Sequence, residues 1–141
     1  MTHLTDELRA LVESGPLTYI STTNADGSPQ VTAVWIGLDG DTLISTHMRF
    51  NTKLRNMQRD PRVVLAFAPP QLPGDWMSPH VIIQATATIG PLGPTGPLLT
   101  RLAQAYVGPD AAYPDESQTG YVVRYSIDRI AGVGPWATAG N

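Results

Sequence analysis

Apolar residues at Leu4, Leu8, Leu11 and Val12 recur at helical spacing, and Gly15-Pro16 then stops the run. "THLTDELRALVES" is therefore predicted to be a helix. Beyond it the pattern shortens towards that of strands. "LTYISTT", "QVTAVWIGL" and "DTLISTH" are rich in β-branched and aromatic residues, and they are separated by the turn cluster "NADGSP" and by Asp39-Gly40. These three segments predict a β-meander. Asn51 then offers an N-cap to the helix-forming "TKLRNMQRD", which Pro61 ends because the residue before proline avoids the α region. "RVVLAFA" is a continuous apolar run, expected as a strand buried on both faces. After the proline-rich "PPQLPGDWMSP" come a fifth strand, "HVIIQATATI", a loop, "GPLGPTGP", a helix, "LLTRLAQAYVG", a further loop and a sixth strand, "YVVRYSI". Sequential hairpins with few helices predict a mainly β fold, a six-stranded antiparallel barrel with short flanking helices, rather than a doubly wound βαβ sheet.

Composition narrows this picture. The chain has 141 residues, enough for one domain (1–141) with one core. The absence of cysteine excludes a disulfide framework, a thiolate metal site and a cysteine nucleophile. His3, His47 and His80 have no spacing that aims them at one metal, so no metal site is expected. There is no Gly-x-Ser-x-Gly elbow to suggest a hydrolase, and the prolines of "GPLGPTG" remove the donors that a phosphate loop needs. No apolar run has the length of a membrane span. The acidic N-terminus lacks an apolar signal core, and the protein reads as cytoplasmic.

Charge supplies the candidate site. The formal net charge is -3, yet Arg49, Lys53, Arg55, Arg59 and Arg62, five of the nine basic residues, fall in "HMRFNTKLRNMQRDPRV", and Lys53 is the only lysine. The acidic balance argues against nucleic acid as a partner. A lysine in a helix's first turn opposes the helix dipole, and Arg55 and Arg59 at four-residue spacing repel. An anion at the helix start reverses both costs, whereas a solvated basic face leaves them in place; the residues alone fit either reading. Trp35 reads as core, and Trp76, after prolines and an aspartate, as a site wall or an interface anchor.

"DGSPQVTAVW" (Asp26 to Trp35), Lys53-x-x-Asn56 and "RDPRV" (Arg59 to Val63) resemble the pyridoxamine-phosphate-oxidase-like split β-barrel family, most closely its actinobacterial flavin/deazaflavin oxidoreductase branch. The likeness covers about residues 5 to 90, and the last strand loosely. It implies a split β-barrel homodimer with two cofactor sites at the subunit interface, holding F420 or, alternatively, FMN, and a small-molecule substrate. Lys53 is the implied phosphate ligand, with Arg49, Asn51 and Asn56 beside it. Thr32, Ala33, Val34 and Trp35 lie along the ring, Ser45 and Thr46 add polar contacts, and Trp76 and His80 come from the second subunit. Arg49, Arg55 and Arg59 suit the carboxylate tail of F420. The oxidase proper carries arginines where this chain has Thr32 and Thr52, and its C-terminal arginine motif is not evident in "GVGPWATAGN". The reading is thus an F420-dependent reductase, with an FMN enzyme or a non-catalytic flavin- or haem-binding protein as alternatives. No catalytic acid or base is demanded; His80 and Tyr113 are the candidate proton donors.

Overall fold

A computed structural model describes residues 4–136; His3 and the tail from residue 137 lie outside the described residues. Helix α1 (Asp6–Glu13) starts where the Thr5 hydroxyl accepts the Leu8 N–H, and the chain leaves it through Gly15 at φ 75°. A Cβ on Gly15 would meet the Ala105 carbonyl oxygen at 2.2 Å, so glycine is also what lets this corner touch the last helix. Strands β1 (Thr18–Thr23), β2 (Pro29–Val34), β3 (Gly37–Asp39) and β4 (Thr42–His47) follow, then helix α2 (Thr52–Arg59) and strands β5 (Arg62–Phe67), β6 (His80–Ile89) and β7 (Gly93–Pro94), helix α3 (Gly96–Tyr106) and the long strand β8 (Thr119–Val133).

The strands form one antiparallel sheet in the order β2-β1-β5-β6-β8-β4-β3, with β7 paired to β8. Only Trp35 and Ile36 separate β2 from β3, although these strands end opposite edges of the sheet. The sheet must therefore curl until its two edges approach at that corner, without hydrogen bonds closing it. Ile20, Leu43, Leu65, Val81, Ile83, Val123 and Tyr125 fill the inside of the curl, together with Leu8 and Val12 of α1 and Leu54 of α2. Each such aliphatic side chain contributes about 1.5–3 kcal/mol by its burial.

The mainly β architecture with flanking helices is as the sequence predicts, but four details differ. There are eight strands among the described residues instead of six, and the sheet is open, not a closed barrel. "QVTAVWIGL" is not one strand. It breaks at Ile36, whose N–H is taken at 3.1 Å by the Tyr106 hydroxyl of α3 in place of a ladder partner. The predicted meander is accordingly two hairpins, β1-β2 and β3-β4, at opposite ends of the sheet. Finally, β5 is buried on one face only: Val63, Leu65 and Phe67 point inward, while Val64 remains exposed. Trp136, just beyond β8, is a core residue and donates its indole N–H to the Val133 carbonyl.

Candidate functional site

Helix α2 begins at Asn51, whose side-chain oxygen accepts the Leu54 N–H at 3.2 Å. Its inward face carries Lys53, Leu54, Asn56 and Met57. Asn56 is held on every side. Its amide nitrogen donates to Thr22 at 3.0 Å and to Asn24 at 2.9 Å, and its oxygen accepts from Arg59 at 2.8 Å. This latch ties α2 to the end of β1 and leaves Asn56 fully engaged. Arg59 also donates to the Thr23 carbonyl, and Arg62 forms an ion pair with Asp60. Arg59 lies six residues beyond Lys53, about 9 Å along the helix, so it does not join Lys53. Arg55 stays near the helix start, bonded to the Phe50 carbonyl and the Thr52 hydroxyl. Arg49 is exposed and forms no ion pair among the described residues.

Lys53 is 9% exposed, yet no carboxylate or other hydrogen-bond acceptor partners it among the described residues. Burial alone pushes its ammonium pKa down. Beside it, at the end of β4, is a buried polar cluster. Ser45 Oγ lies 2.8 Å from His47 Nε2 and 2.7 Å from Tyr125 Oη. Burial, helped by the Lys53 charge, pulls His47 down to about 4, so the imidazole is neutral at pH 7; burial also pushes the Tyr125 phenol up, against the pull of its Ser45 hydrogen bond. Ser45 itself is sealed from solvent, whereas Thr46, on the other face of β4, is half-buried.

Strand β2 bonds β1 along one side and has its other edge open. Ala33 and Trp35 point outward and Val34 packs on the core. Trp35 is not a core residue: it is 40% exposed and stacks on Tyr106 with ring centroids 5.2 Å apart and planes 10° from parallel. These two rings, with Gly15, Leu17, Ala33 and Val34, line a cavity of about 320 Å³. Thr32 Oγ1 is the one buried side-chain oxygen or nitrogen among the described residues without a hydrogen-bond partner. From Gln30, which sits against Asn56, to Trp35 the strand runs about 17 Å.

His80 and Trp76 are elsewhere. His80 opens β6, half-buried, with Nδ1 2.8 Å from the Ser78 carbonyl oxygen. Strand β4 pairs with the β8 segment that faces the far end of β6, since Val123 faces both Ser45 and Ile89. His80 and the Lys53 corner therefore lie at opposite ends of β6, whose ten residues run about 30 Å when extended. Trp76 stands fully exposed in the loop before β6. The Tyr113 hydroxyl lies 3.7 Å from the Met48 sulfur, near the start of the α2 approach. Within one chain the fold thus gathers Ser45, Thr46, Asn51 and Lys53 at one corner and runs Thr32 to Trp35 away from it.

Sequence reasoning missed His47, Tyr125 and Tyr106. His47 could have been singled out by its alternation with Ser45 on one face of β4; the two tyrosines are brought in by tertiary contacts across 80 and 70 positions, which leave no local signal. Among the described residues no group of three or more His, Cys, Asp and Glu could hold a metal ion, and no helix is long and apolar enough to cross a membrane.

Comparison with known proteins places the fold. The family described as pyridoxamine 5'-phosphate oxidase matches residues 4–131. A solved structure of an F420 reductase is 23% identical, covering 90% of this chain and 98% of that one, with a TM-score of 0.70. The HupZ protein of Group A Streptococcus is 20% identical over 98% of this chain and all of its own, with a TM-score of 0.67. An FMN-binding protein of Syntrophomonas wolfei is 14% identical over 92% of this chain and 85% of its own, with a TM-score of 0.66. A search among curated proteins found no match.

Proposed function

The chain belongs to the pyridoxamine 5'-phosphate oxidase family, and from that premise we propose that it is an F420-dependent reductase passing a hydride between the deazaflavin and a small organic acceptor. Lys53 is the observation that carries this reading. A buried cation without an acidic partner is costly, and a bound anion offsets that cost. The amides of the first α2 turn point the same way. A phosphate at Lys53 leaves the open edge of β2 for a tricyclic ring. Its ~17 Å from Gln30 to Trp35 matches the reach of a ring with a phosphorylated arm. The unpartnered Thr32 hydroxyl is a polar contact that such a ligand satisfies.

The deazaflavin, when bound, supplies the hydride chemistry. The protein binds the phosphate through Lys53, holds the ring against Thr32 to Trp35 and shapes the space above it with Trp35 and Tyr106. His80, at the opposite end of β6 from the Lys53 corner in its own chain, and Trp76 in the loop before it enter this reading as contributions of a second copy. A homodimer also covers Tyr19, Val31 and Val64, exposed apolar residues on β1, β2 and β5. FMN is the second reading, supported by the similar fold of an FMN-binding protein. The unpaired Arg49 and the adjacent Arg55 favour F420, whose tail adds carboxylates beyond the phosphate.

Turnover tests the proposal. Reduced F420 incubated anaerobically with the protein and a panel of quinones and enones should regain its oxidised visible absorbance at a rate proportional to protein concentration. A rate equal to the protein-free control, with turnover instead by FMN-loaded protein, would transfer the assignment to FMN.

A further inference from the structure

The cluster behind Lys53 has a proton arrangement that its own geometry fixes. Tyr125 is fully buried, and among the described residues its hydroxyl has one partner, Ser45 Oγ; His47 Nε2 has the same partner. Three protons must be shared between these two contacts and the other imidazole nitrogen, Nδ1. If His47 donated from Nε2, either the Tyr125 or the Ser45 hydroxyl proton would be left buried without an acceptor. Only one arrangement uses every buried donor: Tyr125 donates to Ser45, Ser45 donates to Nε2, and the imidazole proton sits on Nδ1. Nδ1 has no hydrogen-bond partner among the described residues, and His47 is 8% exposed. Lys53 Nζ is in the same condition.

We propose that His47 is a second, uncharged donor of the Lys53 anion site, presenting Nδ1–H to the phosphoryl group while Ser45 and Tyr125 act as positioning residues that lock this tautomer. The inference rests on the phosphate assignment made above for Lys53. The two residues approach the site from different elements, His47 from β4 and Lys53 from α2. Only Met48 to Asn51 separate the end of β4 at His47 from the start of α2 at Thr52, so the two buried side chains belong to one corner of the fold. No carboxylate bonds to either, and Tyr121, opposite His47 in the β4–β8 register, packs on Phe50 edge to face. A neutral donor here adds a directed contact without a second buried charge. Ser45, expected from the sequence to touch the cofactor, acts through His47 instead.

The test pairs a tautomer measurement with a phosphate-specific binding ratio. Imidazole nitrogen NMR of the uniformly labelled wild type should show His47 as the Nδ1–H tautomer, and Ser45→Ala should shift it towards Nε2–H. Affinities are then measured for FMN against riboflavin, and for F420 against its phosphate-free chromophore. His47→Leu should lower the phosphorylated ligand's advantage about three- to tenfold. His47→Gln, which keeps an acceptor for Ser45 and a donor for the anion, should restore most of it. An Nε2–H tautomer in the wild type would overturn the proposal, as would an unchanged ratio in His47→Leu. Lys53→Ala in the same assay separates the two ideas: if its ratio is unchanged, the phosphate assignment itself fails; if it falls while that of His47→Leu holds, only the role of His47 fails.

Discussion

Replacing Lys53 with alanine lowers affinity for the phosphorylated cofactor roughly ten- to a hundredfold and leaves the fold in place. The lost contact is charge-assisted, worth ~1.5–3 kcal/mol, and no carboxylate among the described residues is paired with Lys53. Helix α2 keeps its cap at Asn51 and its Asn56 latch in the variant, so folding does not confound the binding loss. Fluorescence titration of cofactor into both proteins is the check, and equal dissociation constants would return the basic segment to a solvated surface. Mixing Lys53→Ala with His80→Ala subunits extends it. In the mixed dimer one site carries both defects and the other neither, so half of the tight binding should return.

Acidification exposes a second large effect, at His47. Its ordinary pKa of 6.5 falls to about 4 in the folded protein. Between these values the unfolded chain holds a proton on His47 that the folded chain does not, so stability falls as pH drops through this window. The full loss by pH 4 and below is roughly 3 kcal/mol, from about 1.4 kcal/mol per pKa unit. The exposed Asp26 and the half-buried Asp60 are held below the usual carboxylate range, chiefly by side-chain hydrogen bonds from Ser28 and Arg62, and titrate beneath that window. Urea unfolding at a series of pH values should show this decline in the wild type and its near absence in His47→Gln. Parallel curves for the two proteins would mean that His47 is charged in the fold.

Local chemistry made much of the fold legible. Asn51 is a cap in the structure as its position before an amphipathic run suggests, whereas the first helix starts only at Asp6, capped by Thr5 inside the predicted run; Gly27 and Gly40 take the positive φ that their hairpin turns require. The break at Ile36 was not legible, because Trp35 and Ile36 favour strands and only the docking of Tyr106 diverts the backbone there. The same holds for β5. Val64 and Ala66 make its outer positions apolar, so the run reads as doubly buried although one face is left uncovered by the chain itself. At the site, Lys53 stood out by charge and position. Its burial without an anion partner, and the Tyr125–Ser45–His47 cluster behind it, come from long-range β4–β8 pairing that no local pattern announces.

Competition between F420 and FMN is the most direct measurement of the central claim. With the protein saturated by FMN, added F420 should displace it at one equivalent per chain. The preference should be largest at low salt and narrow as salt screens Arg49 and Arg55 from the carboxylate tail. Tighter FMN binding at both low and moderate salt would contradict the account and make the protein an FMN enzyme.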